Sequence, residues 1–229
     1  MHQQRLHGLD FLRATMMLLG IVLHGAQMYM TMRLGFDYYI DPMQSPVMDG
    51  ILIFINTFRM PVFFFLSGFF TALLYQRHGV APMVKNRYQR IVLPFVILLP
   101  PLAVILTLQW VAWENLSATG TPGLDLSHVP YPHLLYNNTH HLWFLYYLMF
   151  ILAIALALLG LWRTLSGSAR TRIAAAMGGI NAAGLPIICL LGLSVGWLAI
   201  AHYSGRINGG ITFIPYWRAI IFFGVCFGA

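Results

Sequence analysis

Charge is what this sequence has least of. Only 8% of its 229 residues are Asp, Glu, Lys or Arg, where a soluble domain carries roughly 25%. A chain of this length can bury a core but has too few charges to cover one. With 59% hydrophobic residues, 14% aromatic residues and a mean hydropathy of +0.73, its solvent is lipid rather than water. Acids are scarcer than bases, six against thirteen. The net charge of +7 would suit a nucleic-acid partner, but its distribution does not: the cations sit in short segments between long apolar runs, where a polytopic membrane protein keeps its orientation charges. Lysine is nearly missing, with Lys85 alone among twelve arginines. Cysteine is almost as rare, and Cys189 and Cys226 both lie inside apolar runs, which excludes a disulfide framework and a cysteine metal site.

What is present is a series of apolar stretches near the 20 residues needed to cross about 30 Å of hydrocarbon. Five complete ones cover residues 14–32, 50–75, 91–113, 142–162 and 182–201, and a truncated sixth covers 211–229. The expected fold is all-α, a polytopic transmembrane helix bundle forming one domain over residues 1–229. The first run holds a histidine and has no small-residue cleavage site after it, so it reads as a retained helix rather than a signal peptide. The N-terminus and the second and fourth loops carry nine cations: Arg5, Arg13, Arg77, Lys85, Arg87, Arg90, Arg163, Arg170 and Arg172. The other loops carry two, Arg33 and Arg206. This positive-inside asymmetry predicts a cytoplasmic N-terminus and puts the long third loop, residues 114–141, outside. The chain stops within an apolar run, from which we expect a longer native bundle.

The informative residues are the ionisable ones inside the spans, because an Arg near a helix centre costs about 2.5–3.5 kcal/mol to insert. Arg13 and His24 are 11 residues apart, close to three turns, so they share one face and stand roughly 16 Å apart along the axis. Met17, Gly20, Gln27 and Thr31 complete that polar and small-residue stripe. His24 is either an interhelical hydrogen-bond donor or a general base, imidazole being the side chain that accepts a proton near neutral pH. Arg13 is either an interfacial snorkelling residue or part of the same site. In the second run Asn56, Arg59, Phe63 and Ser67 recur at helical spacing, and the guanidinium of Arg59 offers a fork of donors to a carbonyl, phosphate or carboxylate. Ser67-Gly68 reads as a close-packing site before a nucleophile.

Lys85, Arg87 and Arg90 precede the third run. Arg87 and Arg90 would project together from a helix start whose free amides also favour anions; the alternatives are an orientation signal and contact with anionic headgroups. His140 and His141 are adjacent and point to different sides of a helix, so the i, i+4 two-histidine metal arrangement does not arise, and no metal is expected. Trp143, with Tyr146 and Tyr147, fits an interfacial aromatic belt.

Taken in order, Arg13 with ten residues before His24, Arg59 with Phe63-Phe64-Phe65-Leu66-Ser67-Gly68, Arg87-Tyr88-Gln89-Arg90, and His141-Leu142-Trp143-Phe144 resemble the membrane acyltransferase 3 family of integral-membrane sugar O-acyltransferases. Leu9-Asp10-Phe11-Leu12-Arg13 and the run from Met60 to Phe70 further resemble its branch associated with succinylating periplasmic glucans. The resemblance implies transfer of an acyl group, acetyl or succinyl, from cytoplasmic acyl-coenzyme A to a hydroxyl of a periplasmic or cell-surface glycan, with the protein in a bacterial inner membrane. It also implies roles. His24 would deprotonate the acceptor, Arg13 would hold the donor, and Arg59 would contact the donor or the charge developing on the thioester carbonyl. Arg87 and Arg90, with Lys85 beside them, would receive the coenzyme A phosphates, while Gln27, Ser67, His141 and Trp143 would stand on the substrate side or support the site. Acyl-coenzyme A is then a donor substrate, and no permanently bound cofactor is expected. Two other readings fit buried cations: a transporter or flippase for an anionic or glycan substrate, and an inactive membrane scaffold.

Overall fold

The computed structural model describes residues 7–31, 41–128, 139–182 and 217–228. Its elements are helical: α1 (His7–Gln27), α2 (Pro46–His78), α3 (Val80–Arg87), a π-helical turn (Tyr88–Val92), α4 (Leu93–Thr119), 3₁₀ turns at Leu126–His128 and His140–Leu142, α5 (Trp143–Thr164), α6 (Gly167–Ala182) and α7 (Trp217–Gly228). Four helices among the described residues are long and apolar enough to cross a membrane: His7–Gln27, Pro46–His78, the continuous Val80–Thr119, and Trp143–Thr164. α7 is a shorter apolar helix. The fifth expected span, 182–201, lies outside the described residues except for its first residue, which ends α6.

Local chemistry sets the ends of α2. Ser45 caps it by accepting from Val47 N at 3.3 Å, Pro46 occupies the first turn, where a missing N–H costs nothing, and Gly79 ends it at φ 80°. Thr31 N donates to Asp49 Oδ1 at 2.8 Å and Thr31 Oγ1 donates to Asp49 Oδ2. That clamp ties the far end of α1 to the first turn of α2. Further along, Gly20 meets Arg59 and Arg13 meets Phe70, so the two helices run antiparallel with one register throughout.

The other face of α2 packs on α5 and α7. Phe64 stacks on Phe223 with centroids 4.3 Å apart, and one turn on, a Cβ at Gly68 would overlap the carbonyl of Phe227. The equal offset of these pairs makes α2 and α7 parallel. Small residues at such crossings let backbones touch, which is how helices associate where lipid supplies no hydrophobic drive; Ser67-Gly68 is therefore packing. Around this seam lies the core of Met60, Phe64, Ile91, Tyr147, Leu148, Ile151, Ala219, Phe222, Phe223 and Cys226.

Two expectations about the third run are corrected. No helix starts at residue 91: the helical segment begins at Val80 and passes through the π-helical turn, where Leu93 N bonds back to Tyr88 O. It also continues to Thr119, where Gly120 terminates it at φ 74° with its N–H on Leu116 O. Hydropathy sees where an apolar run stops, whereas a helix continues until its hydrogen bonding is broken. The fourth loop likewise contains the helix α6.

Candidate functional site

The α1–α2 seam is where polar groups meet. Arg59 crosses from α2 and donates Nε–H to the carbonyl oxygen of Met16 at 3.0 Å. Its guanidinium lies close against Gly20, and the Phe63 ring stands 5.7 Å from Cζ, a distance at which the ring quadrupole attracts the cation. A half-buried arginine among so few acids is thus held by a carbonyl and a ring.

One turn beyond Gly20, the His24 ring is hydrogen-bonded by the side chain of Gln27 and faces His141 at 5.2 Å between centroids. His141 is presented by the 3₁₀ turn ahead of α5, which is closed by Leu142 N on the carbonyl of the fully buried Thr139 at 2.9 Å. Desolvation pushes the His141 pKa below the ordinary imidazole value. His24, Gln27, Asn56, Arg59, His141 and Trp143 supply the polar lining of a chamber of about 320 Å³, whose apolar walls are Met17, Leu23, Leu52, Met60, Phe63 and Phe144. A wider hollow of about 560 Å³ opens beside it, lined by Met17, Gly20, Ile21, Gly25 and Met28. His24 and Arg59 line both. An imidazole and a guanidinium therefore stand on the wall between two spaces, one partly lined by the aromatic side chains of Phe63, Trp143 and Phe144 and one wider and more open.

At the other end of α1, the Arg13 guanidinium lies 5.6 Å from the Phe70 ring centroid. Arg87 is close enough to feel the charges of both Arg13 and Arg90, and its Nε is buried without a hydrogen-bond partner. The expected grouping of Arg13 with His24 and Arg59 is thus divided: His24 and Arg59 share a chamber, and Arg13 joins the basic cluster instead. Lys85 is exposed on α3. The amides expected at an open helix start are occupied by the continuous helix, so any anion here would be held by guanidinium groups alone. Ser67 lies off the chamber, its carbonyl accepting from Thr71 Oγ1 at 2.6 Å.

Sequence reasoning named Phe144 only as part of a motif, without a place in the chamber wall, and passed over the docking role of Gly20. Phe144 lies in a uniformly apolar run with no period to single it out. Gly20 stood in the polar stripe, which was the available signal, but its partner comes from another helix.

Residues 6–229 match the acyltransferase domain of the acyltransferase 3 family. The chain belongs to that family. Among curated proteins it is similar to glucans biosynthesis protein C of Escherichia coli K12, at 33% identity over 145 residues, which are 62% of this chain and 36% of that protein. The same protein from Escherichia coli O157:H7 strain EC4115 matches at 32% over the same shares. The matched stretch thus spans about a third of the length of these relatives. No solved structure matches.

Proposed function

We propose that this chain is a membrane-bound O-acyltransferase that moves an acyl group from acyl-coenzyme A to a hydroxyl of an extracytoplasmic glycan. The observation that carries the reading is the division of labour along α1. Arg13, Arg87 and Arg90 gather at one end and suit the phosphates of a nucleotide-bearing donor. His24 and Arg59 stand together towards the other end, about 16 Å from Arg13 for His24. His24 takes the proton of the acceptor hydroxyl as its oxygen attacks the thioester carbonyl. The guanidinium of Arg59 donates to the carbonyl oxygen as negative charge builds there. The C–S bond then breaks, and the departing thiolate receives the proton as coenzyme A thiol. Gln27 holds the His24 ring in orientation throughout.

The cation asymmetry between loops supports a cytoplasmic N-terminus, which makes the arginine cluster cytoplasmic and the His24 end external, in a bacterial inner membrane. The parallel pairing of α2 with α7 supports a six-span count for this chain, because a sixth span runs in the direction of the second. The name of the relatives points to a glucan acceptor, and both acetyl and succinyl donors fit. A transporter would move its substrate without releasing thiol. The test is therefore release of coenzyme A thiol from acyl-coenzyme A in membranes containing the protein and a glucan acceptor. His24→Ala should remove this release while leaving the protein in the membrane; release that persists undiminished in the variant would sink the assignment.

A further inference from the structure

Gly20 lies at the centre of the seam, and no chemistry has been assigned to it. We propose that Gly20 is the positioning residue for Arg59: its missing side chain uncovers the Met16 carbonyl and lets the guanidinium lie against α1, so that its remaining donors are aimed at the chamber containing His24. The proposal rests on the acyltransferase reading for its chemical consequence, and on packing alone for its first half.

Met16 O is the carbonyl to which Gly20 N–H bonds in a regular α-helix, and a carbonyl has a second lone pair. In most helices that lone pair is shielded by the side chain of the residue one turn on. Here that residue has no Cβ, and Arg59 Nε reaches the oxygen at 3.0 Å. A Cβ at Gly20 would lie 2.8 Å from Arg59 Cζ and 3.2 Å from Arg59 Nε, and closer still to Nη2. All three atoms belong to the far end of a flexible side chain, so the protein can fold with alanine at this position if the guanidinium moves. It cannot keep the guanidinium where it is. With the Phe63 ring 5.7 Å from Cζ, Arg59 is in contact with both a ring and a bare turn of helix, and a shift on the order of 1 Å at a catalytic group can cost about 100-fold in rate.

The glycine otherwise has no local justification. It sits inside α1 with helix on both sides, where alanine is the better helix former. Gly8 on the same helix has nothing within 4 Å of a built Cβ and serves as the control for propensity alone.

The test is a double-mutant cycle with Gly20→Ala and Arg59→Ala in the full chain, read two ways. In thermal unfolding of the purified protein, Gly20→Ala should raise the midpoint in the Arg59→Ala background, as Gly8→Ala does in the wild type, and should fail to raise it when Arg59 is present. In acyl transfer, Gly20→Ala should lower kcat about 10- to 100-fold with little change in either KM, and the double variant should be no slower than Arg59→Ala alone. Equal midpoint shifts in both backgrounds would overturn the docking. Coupled midpoints with wild-type kcat in Gly20→Ala would overturn the positioning role and leave the acyltransferase reading intact. A wild-type protein that transfers nothing would overturn that reading and the positioning role together, while the unfolding cycle still decides whether Arg59 docks on Gly20.

Discussion

α2 carries two seams, and a glycine lies in each, used in opposite ways. At the α7 seam Gly68 admits a neighbouring backbone, the carbonyl of Phe227, and everything around it is aromatic or aliphatic: Phe64, Phe223, Tyr147, Ile151. At the α1 seam Gly20 admits a charged side chain, and its surroundings are Arg59, His24, Gln27 and Asn56. The first seam is closed and holds helices together. The second is hollow and brings polar groups together. A glycine in a membrane helix cannot be assigned to packing from its own helix, because what enters the gap decides its use.

Removing His24 should act on the chemistry of the hollow seam and leave its packing alone. His24→Ala should lower acyl transfer by about 10² to 10⁴, the usual value of general acid–base catalysis, with no change in the unfolding midpoint of detergent-purified protein. A parallel loss of folded protein would mean that His24 belongs to the structural seam after all. Next comes Phe64→Ala on the closed seam. It should cost up to about 3 kcal/mol, the low end of the range for soluble cores, because the unfolded side chain sits in lipid rather than water. Here transfer should fall only with the folded fraction, which scanning calorimetry beside a rate assay can separate. Gly68→Ala should cost about 1–3 kcal/mol by overpacking against backbone that cannot turn aside, and a second-site change that shortens a neighbour should not relieve it. The smallest effect is at the clamp. Thr31→Val should lower stability by about 1 kcal/mol, the net value of one lost hydrogen bond, measured by denaturant or thermal unfolding.

Much of this was legible in the sequence, for identifiable reasons. The face joining Arg13, Gly20 and His24 follows from helical period alone, and the apolar runs announce the spanning helices directly. The seams were not legible, because a seam needs two helices in register. Nothing in residues 7–27 says that the occupant of the gap at Gly20 comes from position 59, or that the Phe64 ring will stack on Phe223 across 159 residues. His141 was visible as a motif member, but its partner His24 lies 117 positions away. The helix boundaries at residues 80–92 failed for another reason. Lys85, Asn86, Arg87, Gln89 and Arg90 interrupt the apolar run without interrupting the backbone hydrogen bonds, and hydropathy registers the first and not the second.

The π-helical turn at Tyr88–Val92 does more than join α3 to α4. A single residue more or less in a helix rotates everything on one side of it by about 100°, and a π-helical turn is one such residue accommodated without breaking the chain. It works as a rotary offset between the aromatic core that Ile91 enters and the short helix that presents Arg87. Losing one residue there would leave a regular helix with its bonds made, but with the arginine dialled to a different bearing. The bearing of Arg87 can therefore be changed by insertion or deletion in this turn, while the face of α4 that contacts the bundle stays where it is.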